Sequence, residues 1–208
     1  MTVEFKAWPK TSRLFRDVVI TEKIDGTNAA IHIEPGTRID NPMVFEVYPL
    51  KPGEVYIDGQ IWRVAAQSRN RLITPGADNY GFARWVYDNA AILVPLLGEG
   101  LHFGEWWGRG IQRGYGLDER RFSLFNTDRH RDVYAPVGGV TVSAVPVLYH
   151  GVFREGEVTG WLRYLAEFGS VAARGFPNPE GVCVFHTQSR TVFKATLDNN
   201  DAGKWETA

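Results

Sequence analysis

Short apolar runs, rather than long periodic ones, dominate the chain. Val18-Val19-Ile20 is one such apolar run, and Ile31 to Ile33, Met43 to Tyr48, Val55 to Ile57 and Ile61 to Ala65 are rich in β-branched and aromatic residues, which predicts strands. Asp58-Gly59, between the last two, marks a tight hairpin. Further strands are predicted at Leu101 to Trp107, Phe122 to Asn126, Val140 to Leu148, Val182 to His186 and Thr191 to Ala195. Two segments have helical spacing instead. Phe82, Trp85, Val86, Ile92 and Leu93 follow Asn79, which can cap a helix, and precede Pro95, which should end it. Val158, Trp161, Leu162, Leu165 and Phe168 make one apolar stripe closed by Gly169. Trp85, Trp161 and Phe168 on these stripes read as core. Runs of strands interrupted by two helices predict an α+β fold of mainly antiparallel sheets with flanking helices.

Composition narrows the function classes. With 208 residues, 44% of them hydrophobic and 13% aromatic, one compact domain over 1–208 is the expectation and two very small ones the alternative. A net charge of −1 excludes binding of nucleic acid by overall charge, so any such partner must meet a local patch. Cys183 is the only cysteine, which excludes an intrachain disulfide and fits a cytoplasmic location. Met1 to Lys10 carries charges and Pro9 where a signal peptide needs an apolar core, and no stretch has the length of a membrane span, so no membrane partner is expected. The five histidines lack ligand spacing and are assigned no metal. Gly98-Glu99-Gly100 reads as a connector, since no phosphate-loop spacing of glycine and lysine exists.

Candidate chemistry centres on Glu22-Lys23-Ile24-Asp25-Gly26-Thr27-Asn28, a lysine beside an Asp-Gly pair between two apolar runs. A lysine held on a strand-edge turn suits covalent amine catalysis; the plainer alternative is a hairpin turn with a solvated lysine. Four later segments add weight: Ser68-Arg69-Asn70-Arg71, Phe103-Gly104-Glu105-Trp106-Trp107-Gly108, Phe122-Ser123-Leu124-Phe125 and Pro179-Glu180-Gly181-Val182. Phe193-Lys194-Ala195 follows in the last strand. Singly, Phe125 could be core, Glu105 a buried structural acid and Glu180 a turn opener.

In this order the segments resemble the covalent nucleotidyltransferases, the superfamily of polynucleotide ligases and mRNA capping enzymes. The likeness is closest to RNA ligases of the phage RNA ligase 2 type and runs from Glu22 to Lys194, with Lys23 to Asn28 and Phe103 to Gln112 its most discriminating pieces. The resemblance implies an ATP-grasp-like ligase catalytic domain that uses ATP and Mg²⁺ or Mn²⁺. Lys23 would attack the α-phosphorus to form a lysyl-N-AMP, and Lys194 would neutralise the phosphate charge. Glu180 would hold the metal, Glu105 the ribose hydroxyls and Phe125 the adenine face. Glu22 would join the nucleotide contacts, while Asn28 and Arg69 match positions near the phosphate and the incoming polynucleotide end. Asp25 and Gly26 read as architectural, Gly26 permitting the turn and Asp25 bonding local backbone.

Arg109, Arg113, Arg120, Arg121, Arg129 and Arg131 form a candidate phosphate track, with Asp118, Glu119, Asp128 and Asp132 interleaved as possible partners instead. The expected substrate is RNA with 5′-phosphate and 3′-hydroxyl ends. The chain ends about where the catalytic domain should, so no appended C-terminal domain is expected, and a separate protein could supply an auxiliary one. Two departures from the family's pattern stand out. A second lysine near Lys194 is replaced by Thr196, or Val192 in a shifted alignment, and Phe185-His186 stands where a basic residue is common. A DNA ligase, a GTP-using capping enzyme and a non-catalytic nucleotide- or RNA-binding module remain the alternatives.

Overall fold

The computed structural model describes residues 3–39 and 49–198, so the strand expected at Met43 to Tyr48 lies outside the described residues. Along the chain run β1 (Asp17–Lys23), β2 (Thr27–Arg38), β3 (Glu54–Ile57), β4 (Gln60–Ser68), β5 (Leu72–Ile73), α1 (Phe82–Asp88) and α2 (Ala90–Leu97). Then follow β6 (Gly100–Gly108), β7 (Arg120–Leu124), β8 (Tyr134–Val137), β9 (Val140–Ala144), β10 (Val147–Val152), α3 (Glu155–Phe168), β11 (Gly181–His186) and β12 (Thr191–Thr196). The result is a sheet-dominated α+β protein.

Two compact units emerge. The first comprises the described residues of Met1–Lys23, Val147–Val171 and Pro177–Ala208; the second comprises Ile24–Pro146 and Ala172–Phe176. The first unit is a four-stranded antiparallel sheet in the order β10-β1-β11-β12 with α3. Alternation along β1 and β11 sends Val18, Ile20, Val182 and Val184 to one face, where they pack with Leu165 of α3 and Ala195. Val158, Trp161 and Leu162 add to that core. Phe168 does not: it is 62% exposed, because as the last residue of α3 its ring turns outward onto Tyr164, with centroids 4.9 Å apart.

The second unit is an eight-stranded sheet in the order β3-β4-β2-β6-β7-β9-β8, with β5 beside β4. Its pairings are antiparallel except β7 with β9, so mainly antiparallel sheets are what the alternation had predicted. Phe82, Trp85, Trp106 and Phe122 interlock at centroid distances of 5.2 to 5.9 Å and form the centre of its core. Each buried indole N–H of this unit finds an acceptor, Trp85 at the Val137 carbonyl, Trp106 at the Tyr80 carbonyl and Trp107 at the Ser123 hydroxyl.

Four local expectations are corrected. The first helix is two, broken at Asn89, whose φ of −115° leaves the helical range. Asn79 does not cap it; the Asp78 carboxylate accepts the N–H groups of Ala83 and Arg84, and the Asn79 amide donates to Thr27 instead. Pro95 lies inside α2 rather than ending it, and Ala91, whose carbonyl loses its helical donor, is exposed and open to water. The run Val140 to Leu148 is divided at Val145-Pro146 between β9 and β10, which belong to different sheets.

One buried pair makes the second unit sensitive to acid. His102 and His130 are 1% and 3% exposed, with His102 Nδ1 3.3 Å from His130 Nε2. His102 Nε2 donates to the Gly98 carbonyl at 2.9 Å, so its Nδ1 is the acceptor and His130 the donor. Burial, with Arg129 and His130 as neighbouring cations, lowers the His102 pKa from 6.5 to about 4; burial and Arg129 lower that of His130. Both shifts are downward, so the unfolded chain takes up these protons first. The pair's stabilisation is complete above pH 6.5 and is lost as pH falls from there to about 4. For His102 the loss amounts to about 3 kcal/mol. Urea midpoints should therefore drop more steeply between pH 7 and pH 4 in the native protein than in a His102→Gln, His130→Gln double variant; identical slopes would refute the assignment.

Candidate active site

In the first unit the sheet face away from the core carries Lys23 and Lys194. Register sets Lys23 opposite Gly181 and Thr21 opposite Cys183; on the other side of β11, Gly181 faces Thr196 and Cys183 faces Lys194. Because cross-strand partners share a face, Lys23, Thr21, Cys183, Lys194 and Thr196 lie on the side away from the Val18-Ile20 core. Gly181 cannot be replaced within this row. Its φ is +149°, and a Cβ there would collide with the Ala195 carbonyl.

Lys23 and Glu180 meet directly. Nζ lies 2.6 Å from Glu180 Oε1, with side chains 23% and 19% exposed. Glu180 Oε2 is buried and has no hydrogen-bond partner among the described residues. A carboxylate oxygen desolvated without a donor is costly, and a hard divalent cation would satisfy it. The donor chemistry therefore fits Mg²⁺ or Mn²⁺.

Glu22 is on the opposite face, 1% exposed. Its two oxygens accept the Ser170 hydroxyl at 2.6 Å and the Val171 N–H at 2.8 Å, which ties the segment after α3 to β1. Register also clarifies the departures in the last strand. Position 196 shares the row of Lys23, whereas Val192 pairs with Phe185 two rows away. Thr196 thus supplies a hydroxyl, not a charge, beside that row.

β1 and β2 are not paired with each other, which removes the hairpin alternative for Asp25-Gly26. In the second unit, Ser68, Ala29, Gly104 and Leu124 form one cross-strand row, from β4 through β2 and β6 to β7. Asn28, Arg69, Glu105 and Phe125 each stand one residue from it. Residues far apart in sequence thereby converge on one stretch of sheet. Glu105 is 7% exposed; Oε1 accepts the Gly26 N–H at 3.1 Å and Oε2 the Asn28 amide at 2.8 Å. Phe125, just past β7, is 44% exposed and so is no core residue, while Arg69 is exposed at the end of β4.

Gly26 is needed for close approach rather than for an unusual φ, since a Cβ would stand 2.5 Å from the Trp106 carbonyl and 2.7 Å from Trp107 Cβ. The Asp25 carboxylate does not bond local backbone; it accepts Arg113 Nε at 3.0 Å. Most of the arginine track is occupied within the unit. Arg121 pairs with Glu119 at 2.8 Å, Arg131 with Asp128 at 3.3 Å, and Arg129 donates to the Leu97 and Glu99 carbonyls. Arg120 lies over Trp106. Arg109 is exposed. Tyr115 and Ser170 were missed as partners of the site segments, and only the glycine-dense stretch Gly108 to Gly116 signalled one of them.

Lys23 thus stands against a carboxylate with a spare oxygen, and Lys194 lies on the same sheet face. The RNA ligase family model matches residues 16–196, and the chain belongs to that family. No curated protein sequence matches. Similar solved structures are those of the RNA ligase of Naegleria gruberi. An arginine-to-alanine variant with ATP and Mn has 16% identity and a TM-score of 0.48, covering 89% of this chain and 51% of that one. A lysine-to-methionine variant with AMP and Mn has 18% identity and a TM-score of 0.46, covering 89% and 51%. The chain spans about half the length of these structures. Among the described residues no helix is long and apolar enough to cross a membrane.

Proposed function

We propose that this chain is the nucleotidyltransferase catalytic domain of an ATP-dependent RNA ligase. The observation that carries the reading is the Lys23–Glu180 pair at 2.6 Å with Glu180 Oε2 left without a donor. Membership of the RNA ligase family supports it.

Lys23 Nζ attacks the α-phosphorus of ATP; the N–P bond forms as the bond to pyrophosphate breaks, and the amine proton leaves to solvent. Lys194, on the same sheet face, offsets charge on the α-phosphate as it becomes pentavalent. Glu180 would hold a divalent ion, which would supply further neutralisation of the phosphate charge there. In the second unit Glu105, already oriented by two N–H donors, accepts the ribose hydroxyls, and the exposed Phe125 offers a face to adenine. Asn28 and Arg69 serve the phosphate and the polynucleotide end; Arg69 and Arg109 are exposed cations suited to an RNA backbone. Glu22 acts through Ser170 and Val171. AMP then passes to a 5′-phosphate, and a 3′-hydroxyl displaces it to seal the strand.

Incubation with ATP labelled on the α-phosphate should give an acid-labile, alkali-stable adduct on the protein. The same protein should seal a nick whose 5′ end is already adenylylated, without ATP. Reversible nucleotide binding with no adduct would make the chain a binding module. An adduct without sealing of either RNA or DNA would point to another adenylyl acceptor.

A further inference from the structure

Between β6 and β7 the chain follows an unusual path. Gln112 and Tyr115 have φ of 45° and 54°, a left-handed conformation rarely adopted by residues with large side chains. The loop is held by its own backbone: the N–H groups of Ile111, Gly114 and Leu117 donate to the carbonyls of Gly108, Ile111 and Gly114 at 2.9 to 3.1 Å. Strain of this kind persists only where surrounding structure enforces it, and it concentrates at sites of function.

That path delivers one atom to one place. Tyr115 is 2% exposed, its ring edge-on to Trp107 at 4.9 Å and against Phe176 at 4.6 Å. Its hydroxyl accepts the Asp25 N–H at 2.8 Å. Two residues earlier in the loop, Arg113 grips the Asp25 carboxylate at 3.0 Å, and the next amide along, that of Gly26, is held by Glu105. Ile24, which is bonded directly to Lys23, is 5% exposed in the same cluster as Trp107 and Tyr115. The turn that leaves Lys23 is thus fixed at consecutive residues by side chains rather than by strand pairing.

We propose that Tyr115 is a positioning residue for the nucleophile: its hydroxyl locks the Ile24-Asp25-Gly26 turn and so limits the orientations open to the Lys23 backbone. This rests on the assignment of Lys23 as the amine that takes AMP. Positioning acts on the rate of the bound complex more than on nucleotide affinity, since the reacting amine must be aligned and not merely present.

Tyr115→Phe keeps the ring and removes the hydroxyl. Lysyl-adenylate formation at saturating ATP should slow by about 10- to 100-fold, with the half-saturating ATP concentration changed by less than about twofold. Hydrogen exchange at the Asp25 amide should accelerate by about tenfold or more while the melting temperature stays close to that of the native protein. An unchanged rate, or a loss that appears only as weaker ATP affinity, overturns the proposal. If Tyr115→Phe does not fold, Arg113→Gln, which loosens the other hold on Asp25, should lower the saturated rate in the same way; a normal rate there is equally fatal. Native protein that forms no adduct overturns the functional reading and this role with it, whereas a labelling native protein matched by Tyr115→Phe overturns the clamp alone.

Discussion

Neither Lys23→Ala nor Lys23→Arg protein should take up covalent label from ATP, and the two should differ in stability rather than in activity. Alanine offers no nucleophile, and the guanidinium stays protonated at any pH the protein tolerates, so both remove the N–P bond-forming atom. The variants separate the amine's chemistry from its charge. In the native protein Lys23 is the counter-ion of Glu180, and alanine leaves that carboxylate without its ion partner. Both side chains are about one-fifth exposed, so the cost is modest, about 1 kcal/mol. Arginine can restore the charge and should recover part of that loss. Labelling assays paired with thermal melts check both statements. Full labelling of a folded Lys23→Ala protein would remove the nucleophile assignment altogether.

The strands and the polar character of the site were legible in the sequence because each depends on near neighbours. β-branched runs set β1, β11 and β12, and alternation along β1 places Lys23 and Thr21 on one face. What was not legible depends on distant partners. Asn79 looked like a cap, but Asp78 was closer to the amides that needed an acceptor. The arginines from Arg109 to Arg131 looked like a track, yet the fold turns Arg113 to Asp25, Arg121 to Glu119 and Arg129 to backbone carbonyls. The reach of a long cationic side chain exceeds anything that spacing alone specifies. Glu22 shows the same limit, since its partners Ser170 and Val171 stand 148 and 149 residues away. Convergence of Asn28, Arg69, Glu105 and Phe125 near one cross-strand row needed the register of four strands, which no local pattern encodes.

Glu180→Ala should lose divalent-dependent adenylylation by about 100- to 1,000-fold, and added Mg²⁺ or Mn²⁺ should rescue it poorly because the ligand itself is gone. Glu180 does two things in the structure: Oε1 pairs with Lys23, and Oε2 is buried without a partner. Alanine abolishes both, so the substitution alone does not say which matters. Glu180→Gln divides them. The amide oxygen can still accept a hydrogen bond from Lys23, but the group has no charge to hold a divalent ion. If ion binding is the essential part, Glu180→Gln should be as inactive as Glu180→Ala, and direct titration with Mn²⁺ should show weakened binding in both. If the contact with Lys23 is the essential part, Glu180→Gln should keep most of the activity and Mn²⁺ binding should not track labelling. Normal labelling by Glu180→Ala at low divalent concentration would reduce Glu180 to the residue that opens β11, and the metal would have to be held elsewhere.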